Sequence, residues 1–253
     1  MTTPREIYTN GHGEVALNFM RRRTLDSHGR FIQPFLKPSQ KILDLGCGPG
    51  TMTVGLARLV SPGGSVVGID RSEAQFVEAR ALATGLPVTF RAMDAYRLDF
   101  PDGSFDGIFS HALFEHLAQP GDALAEAYRV LKPGGFIGLR SPDWGGMIVH
   151  PEDEKTRAAL TARLELQTRN GGNVHAGRHL REWLQKAGFA SVEVSATYEI
   201  YSDNTPIVHH IASQLETDGQ HAHAAAWRAW GENPQAMFAQ AWFEATGTKG
   251  EPL

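Results

Sequence analysis

The chain has 253 residues, 42% of them hydrophobic, and a formal net charge of −4. That is enough for one α/β domain with insertions and a real core, and the acidic balance argues against a nucleic-acid partner, which would need a basic face. There is no run of 18 apolar residues, no early apolar segment before a cleavage site, and a single cysteine, Cys47, which excludes an internal disulfide. A cytoplasmic protein with no membrane partner is expected.

The first predicted element is an N-terminal arm in which Tyr8-Thr-Asn-Gly-His-Gly13 makes a glycine-bearing turn ahead of a helix. Tyr8 and His12 are its candidate functional residues, against the alternative of a tyrosine packed in a surface turn. Arg21-Arg22-Arg23 is the one basic run, too short for a nucleic-acid footprint, and reads as a solvated or cofactor-facing helix face.

Lys41 to Leu45 is a short apolar run broken only by Asp44, a strand pattern, and helical spacing resumes from Thr51 to Val60. Gly46, Gly48 and Gly50 therefore sit on a strand-to-helix turn, where glycine permits positive φ and the close approach of a ligand. Dinucleotide enzymes also place glycines there. Asp44, however, would meet a pyrophosphate as a like charge while tolerating ammonium and sulfonium groups. Pro49 removes one of the N–H donors on which phosphate loops depend. A second strand, 65–70, ends in Asp70, which is able to accept both ribose hydroxyls. A third, 88–94, ends in Asp94, and a fourth covers 105–110. A nicotinamide oxidoreductase is the rival enzyme class, disfavoured by Asp44, Pro49 and Asp94. Beyond these, strands are expected at 135–141 and 191–201, with a helix from Glu152 to Asn170, a Gly171-Gly172 break, and a helical stretch at 203–233.

Five blocks in order resemble the class I S-adenosylmethionine-dependent methyltransferases, in particular the small-molecule branch of ubiquinone and menaquinone biosynthesis. They are LDLGCGPG (43–50), VVGID (66–70), AMDAYRLDFPDGSFDGIFS (92–110), FEHL (114–117) and RVLKPGGFIGL (129–139). The resemblance implies a Rossmann-like, doubly wound α/β sheet of seven strands in the order 3-2-1-4-5-7-6, the last antiparallel, with helical cap insertions. It also places the last strand at about 240–249. The implied organisation is a single methyltransferase domain: arm 1–38, binding core 39–141, cap insertion 142–177, core 178–202, helical cap 203–233, and last strand and tail 234–253.

The resemblance implies site roles as well. Asp44 and Gly46 would line the methionine end of the cofactor, with Cys47 and Gly48 in the same loop. Asp70 would hold the ribose, Arg71 would flank the adenine, and Asp94 with Ala95 and the neighbouring Met93 would read its edge. Ser110 and His111 would border the sulfonium, and Tyr8 would fold over the cofactor with the arm. S-adenosylmethionine is the expected donor and S-adenosylhomocysteine the product.

Methyl transfer from a sulfonium needs mainly alignment of nucleophile, methyl and sulfur, so no fixed catalytic residue is required. Where the acceptor needs a base, His116, His111 and His12 are the candidates. Glu115-His116 with His111 is also similar to divalent-ion sites of some methyltransferases, but the ligand set is incomplete and no metal is expected. His209-His210 and His221-Ala-His223 point in different directions on a helix, which suits a solvated or pocket-edge role. Trp144, Tyr198, Tyr201, Trp227, Trp230 and Trp242 are candidates for an aromatic wall, and Asp143 either meets a polar substrate atom or caps a turn. The expected partner is a small cyclic or aromatic metabolite methylated at O, N or C, and monomer and homodimer both stay open. The remaining alternative is a protein that binds the cofactor without turnover or with non-methyl chemistry.

Overall fold

The structure, a computed structural model, describes residues 6–11 and 13–251. His12 lies outside the described residues. The arm runs into α1 (Glu14–Arg21) and the single turn α2 (Leu25–His28), which Thr24 opens by accepting from the Ser27 N–H. The core then alternates: β1 (Lys41–Leu45), α3 (Thr51–Val60), β2 (Ser65–Asp70), α4 (Phe76–Leu82), β3 (Val88–Ala92), β4 (Phe105–His111), α5 (Pro120–Val130) and β5 (Leu131–His150). After α6 (Glu154–Arg169) and α7 (Ala176–Lys186) come β6 (Ala190–Ile200), α8 (Thr205–Thr217), α9 (His221–Gly231) and β7 (Met237–Thr248).

The seven strands form one sheet in the order β3-β2-β1-β4-β5-β7-β6. β1 to β5 pair in parallel, and β7 runs antiparallel to both β5 and β6. This is the order and direction that the resemblance implies. The inner strands are apolar on both faces because helices cover both: Leu43 and Leu45 pack toward α5, whereas Ile42 packs toward α3 and α2. β1 lies between β2 and β4, so the chain reverses its winding there and a crevice opens at the carboxyl ends of these strands.

Two strand ends differ from expectation. β3 stops at Ala92, leaving Asp94 beyond it in an isolated bridge with Arg97. β5 does not end at Ser141 but continues to His150, because β7 offers it a partner as far as Met237. Gly145-Gly146 falls in a register shift between Asp143 and Ile148, a bulge that bends the strand without ending it. The prolonged strand carries Trp144 into a second apolar cluster with Phe19, Leu160, Ile211, Trp227 and Phe238. Trp227 is fully buried there and stacks on Trp230 with ring centroids 4.4 Å apart. Burying one such ring contributes roughly 4–6 kcal/mol of apolar transfer, which fixes α6, α8 and α9 as a cap beside the crevice.

Candidate active site

The glycine loop after β1 is a closed hydrogen-bonded unit. The N–H groups of Gly46 and Cys47 donate to the Ile69 carbonyl at 2.9 and 2.8 Å, that of Gly48 donates to Asp70 Oδ2 at 3.0 Å, and that of Gly50 to the Cys47 carbonyl at 3.1 Å. Pro49 has none to give. Every amide of the loop is thus spent inside the protein, and no cradle of free N–H donors remains for a pyrophosphate. Gly46, Gly48 and Gly50 all have positive φ, at 78°, 50° and 80°. A Cβ on Gly50 would come within 2.8 Å of the Ala79 Cβ, so glycine is required for packing as well as for conformation.

A cavity of about 330 Å³ lies against this loop at the carboxyl ends of β1, β2 and β4. Of the expected cofactor residues, Tyr8, Gly46, Gly48, Asp70, Arg71, Met93, Asp94, Ala95 and His111 line it. Asp44, Cys47 and Ser110 do not. Asp44 is 2% exposed and accepts from the Thr53 hydroxyl at 2.6 Å. Cys47 packs with Phe76 and Phe90, and Ser110 donates to the Leu45 carbonyl at 2.8 Å, tying β4 to β1. These three support the wall from behind.

Asp70 is aimed by two backbone donors, Gly48 to Oδ2 and Ser72 to Oδ1, both at 3.0 Å. Each carboxylate oxygen keeps a lone pair for a ligand hydroxyl. The arm closes this end of the cavity through Glu6, which had no motif to announce it. Its carboxylate pairs with Arg71 at 2.9 Å, accepts the Ala118 N–H at 2.7 Å, and also accepts from the Tyr96 hydroxyl. Arg71 in turn reaches Asp94 at 3.4 Å. Tyr8 lies edge-on to His116 with ring centroids 4.8 Å apart, and burial pushes its phenol up to about 12.

Past His116 the cavity meets a narrower chamber lined by Phe19, Glu115, Trp144, Arg163, Tyr201, Trp242 and others. Trp144, Tyr201 and Trp242 are the candidate aromatics that reach it. Trp227 and Trp230 belong to the cap core, and Tyr198 is exposed. Asp143 is turned away into a salt bridge with Arg178 at 2.6 Å and accepts the Gly145 N–H at 3.0 Å, so it caps the turn. His209 is exposed, whereas His210 is buried and stacks on Phe19 at 4.3 Å. Arg23, the last of the basic run, turns inward and lines both spaces.

Of the three histidines expected as bases, the two among the described residues, His111 and His116, both have hydrogen-bond partners. Arg140, which can only donate, places Nη1 2.9 Å from His111 Nε2, so that nitrogen is an acceptor already in use. Burial, then Arg23 and Arg140, hold His111 well below the usual imidazole range. For His116 the direction follows from a chain starting at Arg163. Its Nε donates to Gln214 Oε1 at 3.1 Å, so Gln214 Nε2 donates to Asn10 Oδ1 at 2.8 Å. Asn10 Nδ2 must then donate to His116 Nε2, at 3.2 Å. Burial, then Arg163 and Arg23, lower His116 to about 3. Both rings are neutral, and each Nε2 accepts a hydrogen bond from a protein donor that a substrate proton would have to displace. Among the described residues no group of three or more His, Cys, Asp or Glu could hold a metal ion.

Two buried carboxyls behave in the opposite way. Burial raises Asp44 from 3.8 to about 7, and raises Glu115 to about 7 as well. Glu115 is 3% exposed and accepts from the Ser141 hydroxyl at 3.1 Å. For Asp44 the folded state favours the neutral acid, so its contribution to stability is full below the unfolded pKa and falls as pH rises toward about 7. Asp44→Asn is therefore expected to remove that decline and to stabilise the protein at pH 8 by up to about 4 kcal/mol, while leaving it little changed at pH 4. Thermal unfolding of both proteins across that range checks the expectation.

Comparison with known proteins agrees with this architecture. A methyltransferase domain model matches residues 42–135. A demethylmenaquinone methyltransferase of Thermus thermophilus is 32% identical over 190 residues, covering 68% of this chain and 82% of the relative. An uncharacterised methyltransferase of Schizosaccharomyces pombe is 29% identical over 93% of this chain and 94% of its own. Several other relatives are matched over only about half their length, among them a Streptomyces fradiae transposon protein at 48%. The fold is shared with a Haemonchus contortus phosphoethanolamine N-methyltransferase solved with S-adenosylhomocysteine, at TM-score 0.61 and 20% identity over 89% of this chain and 53% of that one. It is shared too with the [4+2]-cyclase SpnF, at TM-score 0.54 and 23% identity over 93% and 80%. With its sheet order, its loop and these relatives, the chain belongs to the class I S-adenosylmethionine-dependent methyltransferases.

Proposed function

We propose that this protein transfers the methyl group of S-adenosylmethionine to a small cyclic or aromatic metabolite, at O, N or C, seated where the main cavity meets the inner chamber. The observation that carries the reading is the joining of two spaces: a cavity bounded by the glycine loop, Asp70 and Asp94, and a chamber bounded by the rings of Phe19, Trp144, Tyr201 and Trp242 and a buried carboxyl. The residues present fit the donor. Asp70 would accept the ribose hydroxyls, Arg71, Met93, Asp94 and Ala95 would surround the adenine, and Gly46 and Gly48, with Asp44 behind them, would take the methionine end. Tyr8 and His111 would border the sulfonium side.

When bound, the donor supplies a methyl carbon whose bond to sulfur breaks as the bond to the acceptor forms, the electron pair staying on sulfur. The chain's share is alignment, which supplies on the order of 7–11 kcal/mol at best. It also excludes water through the Glu6 clasp and the ring wall. Where the acceptor must lose a proton, Glu115 is the group suited to take it, since its carboxyl, raised to about 7, lines the chamber.

The reading is tested by incubating the protein with S-adenosylmethionine and a panel of phenols, heterocycles, amines, carboxylic acids and quinone precursors, with release of S-adenosylhomocysteine followed by mass spectrometry. Release coupled to a methylated product is expected from one chemical class. Binding of the donor with silence across the panel would favour a protein that holds the cofactor without turning it over.

A further inference from the structure

Two arginines reach the inner chamber without a carboxylate of their own. Arg163, on α6, is 2% exposed. Its Nε donates to Gln214 Oε1 at 3.1 Å, its Nη1 donates to Gln167 Oε1, and its guanidinium carbon lies 3.8 Å from the Trp144 ring centroid. All of these partners are neutral. Arg23 makes ring contacts only, 5.1 Å from Phe19 and 5.2 Å from Trp242, with no ion pair among the described residues. Two neighbouring charges are matched, Arg140 with Glu244 at 3.2 Å and Arg178 with Asp143 at 2.6 Å, while Glu199, beside a His28 that burial holds below the usual imidazole range, accepts from the Trp242 Nε1 at 2.9 Å. The carboxylate in the chamber lining, Glu115, is bonded to Ser141 and makes no ion pair with either arginine. Two cations thus face one acid.

A buried guanidinium whose nearest acid, here Glu115, makes no direct ion pair with it carries a desolvation penalty of several kcal/mol that neutral amides offset only in part. Two further members of the lining are incomplete. Trp144 Nε1, a donor, and Gln240 Oε1, an acceptor, are buried with no partner among the described residues. Gln240 cannot simply turn over, since its Nε2 already donates to the carbonyls of Asp143 and Ala241 at 3.1 and 3.0 Å. The chamber has about 30 Å³ of free space, room for a group the size of one or two water molecules. It shares Asn10, Arg23, Ala112 and His116 with the main cavity. A ring would therefore remain at the junction while a small charged substituent enters.

The geometry points to an acidic methyl acceptor: a small cyclic or aromatic carboxylate whose anionic group seats between Arg163 and Arg23, within reach of the Trp144 N–H. This rests on the methyl-transfer reading and narrows its substrate class. Charge-assisted hydrogen bonds to a buried guanidinium are the strong ones, and the amide of the same acid would forgo them.

The test titrates matched acid and primary-amide pairs, benzoates, hydroxybenzoates and indole carboxylates, into the full-length chain, both free and saturated with S-adenosylhomocysteine, following tryptophan fluorescence. At least one acid is expected to bind about tenfold or more tighter than its amide. Arg163→Met and Arg23→Gln should each bring that ratio close to one while shifting amide affinity far less. Arg163 is buried, so Arg23→Gln carries the test should Arg163→Met fail to fold, and circular dichroism reports the fold of both. No saturable binding of any acid up to about 10 mM, equal affinity for acid and amide, or a preference that survives both substitutions overturns the inference. Failure of the native chain to bind S-adenosylhomocysteine would instead sink the methyl-transfer reading, whereas S-adenosylhomocysteine binding without acid preference sinks only this inference.

Discussion

Asp70→Ala is expected to weaken S-adenosylhomocysteine binding by about 100-fold or more, the largest effect on affinity of any single change in the cavity. Two losses combine. The ribose hydroxyls lose a charged acceptor, and hydrogen bonds to charged groups are worth about 1.5–3 kcal/mol each. The Gly48 and Ser72 N–H groups, both 3.0 Å from the carboxylate, lose theirs as well, so the glycine loop is no longer tied to the end of β2. The second loss should also lower stability, by about 1–2 kcal/mol. Asp70→Asn should fall between the native protein and Asp70→Ala: its one amide oxygen can accept from Gly48 or from Ser72 but not from both, so it should lose part of the stability and bind less tightly than the native carboxylate. Calorimetric titration alongside thermal unfolding checks both, and an unchanged affinity for Asp70→Ala would place the ribose elsewhere.

Glu115→Gln is expected to reduce kcat by about 10²–10⁴ on an acceptor that must lose a proton, with the affinity for S-adenosylhomocysteine unchanged. The pH dependence gives it a signature. In the native protein the base form appears as pH rises through about 7, so activity should climb through that value and the glutamine variant should lose the limb. Stability moves the other way. The folded state favours the neutral carboxyl, so the contribution of Glu115 is full below the usual carboxylate pKa and is lost as pH climbs to about 7. Glu115→Gln should abolish that decline too. A pH–rate profile that keeps its ascending limb in the variant would remove Glu115 from the chemistry.

The fold was legible where local pattern and global role coincide. β1, the glycine turn and α3 announce themselves because a buried parallel strand, positive-φ glycines and a helix start are all local features. β5 was read as ending at Ser141, and only its distant partner β7 shows that it runs on to His150 through a bulge at Gly145-Gly146. In the site, Asp70, Arg71, Asp94 and Ala95 follow from their place at strand ends. Asp44 on β1 and Ser110 on β4 are buried behind the wall, a difference of side-chain direction that strand periodicity alone does not resolve for strands buried on both faces. Glu6, Asn10 and Arg163 were not singled out, since their roles depend on contacts between distant segments, such as Arg163 with Gln214, Glu6 with Arg71 and Asn10 with Gln214, and Arg23 was read only as one of a basic run. The surroundings of the histidines are non-local for a related reason. Residue type suggests a base, but Arg140 and Asn10 decide which nitrogen is free.

The central claim is that the loop holds a sulfonium donor and not a dinucleotide, because its amides are spent on Ile69, Asp70 and Cys47. Calorimetry of the purified chain with S-adenosylmethionine, S-adenosylhomocysteine and NAD(H) tests it most directly. The account predicts saturable one-to-one binding of the first two, with Kd on the order of micromolar, and no measurable binding of the nicotinamide nucleotides. Tight binding of NAD(H) with no heat from either S-adenosyl ligand would contradict it.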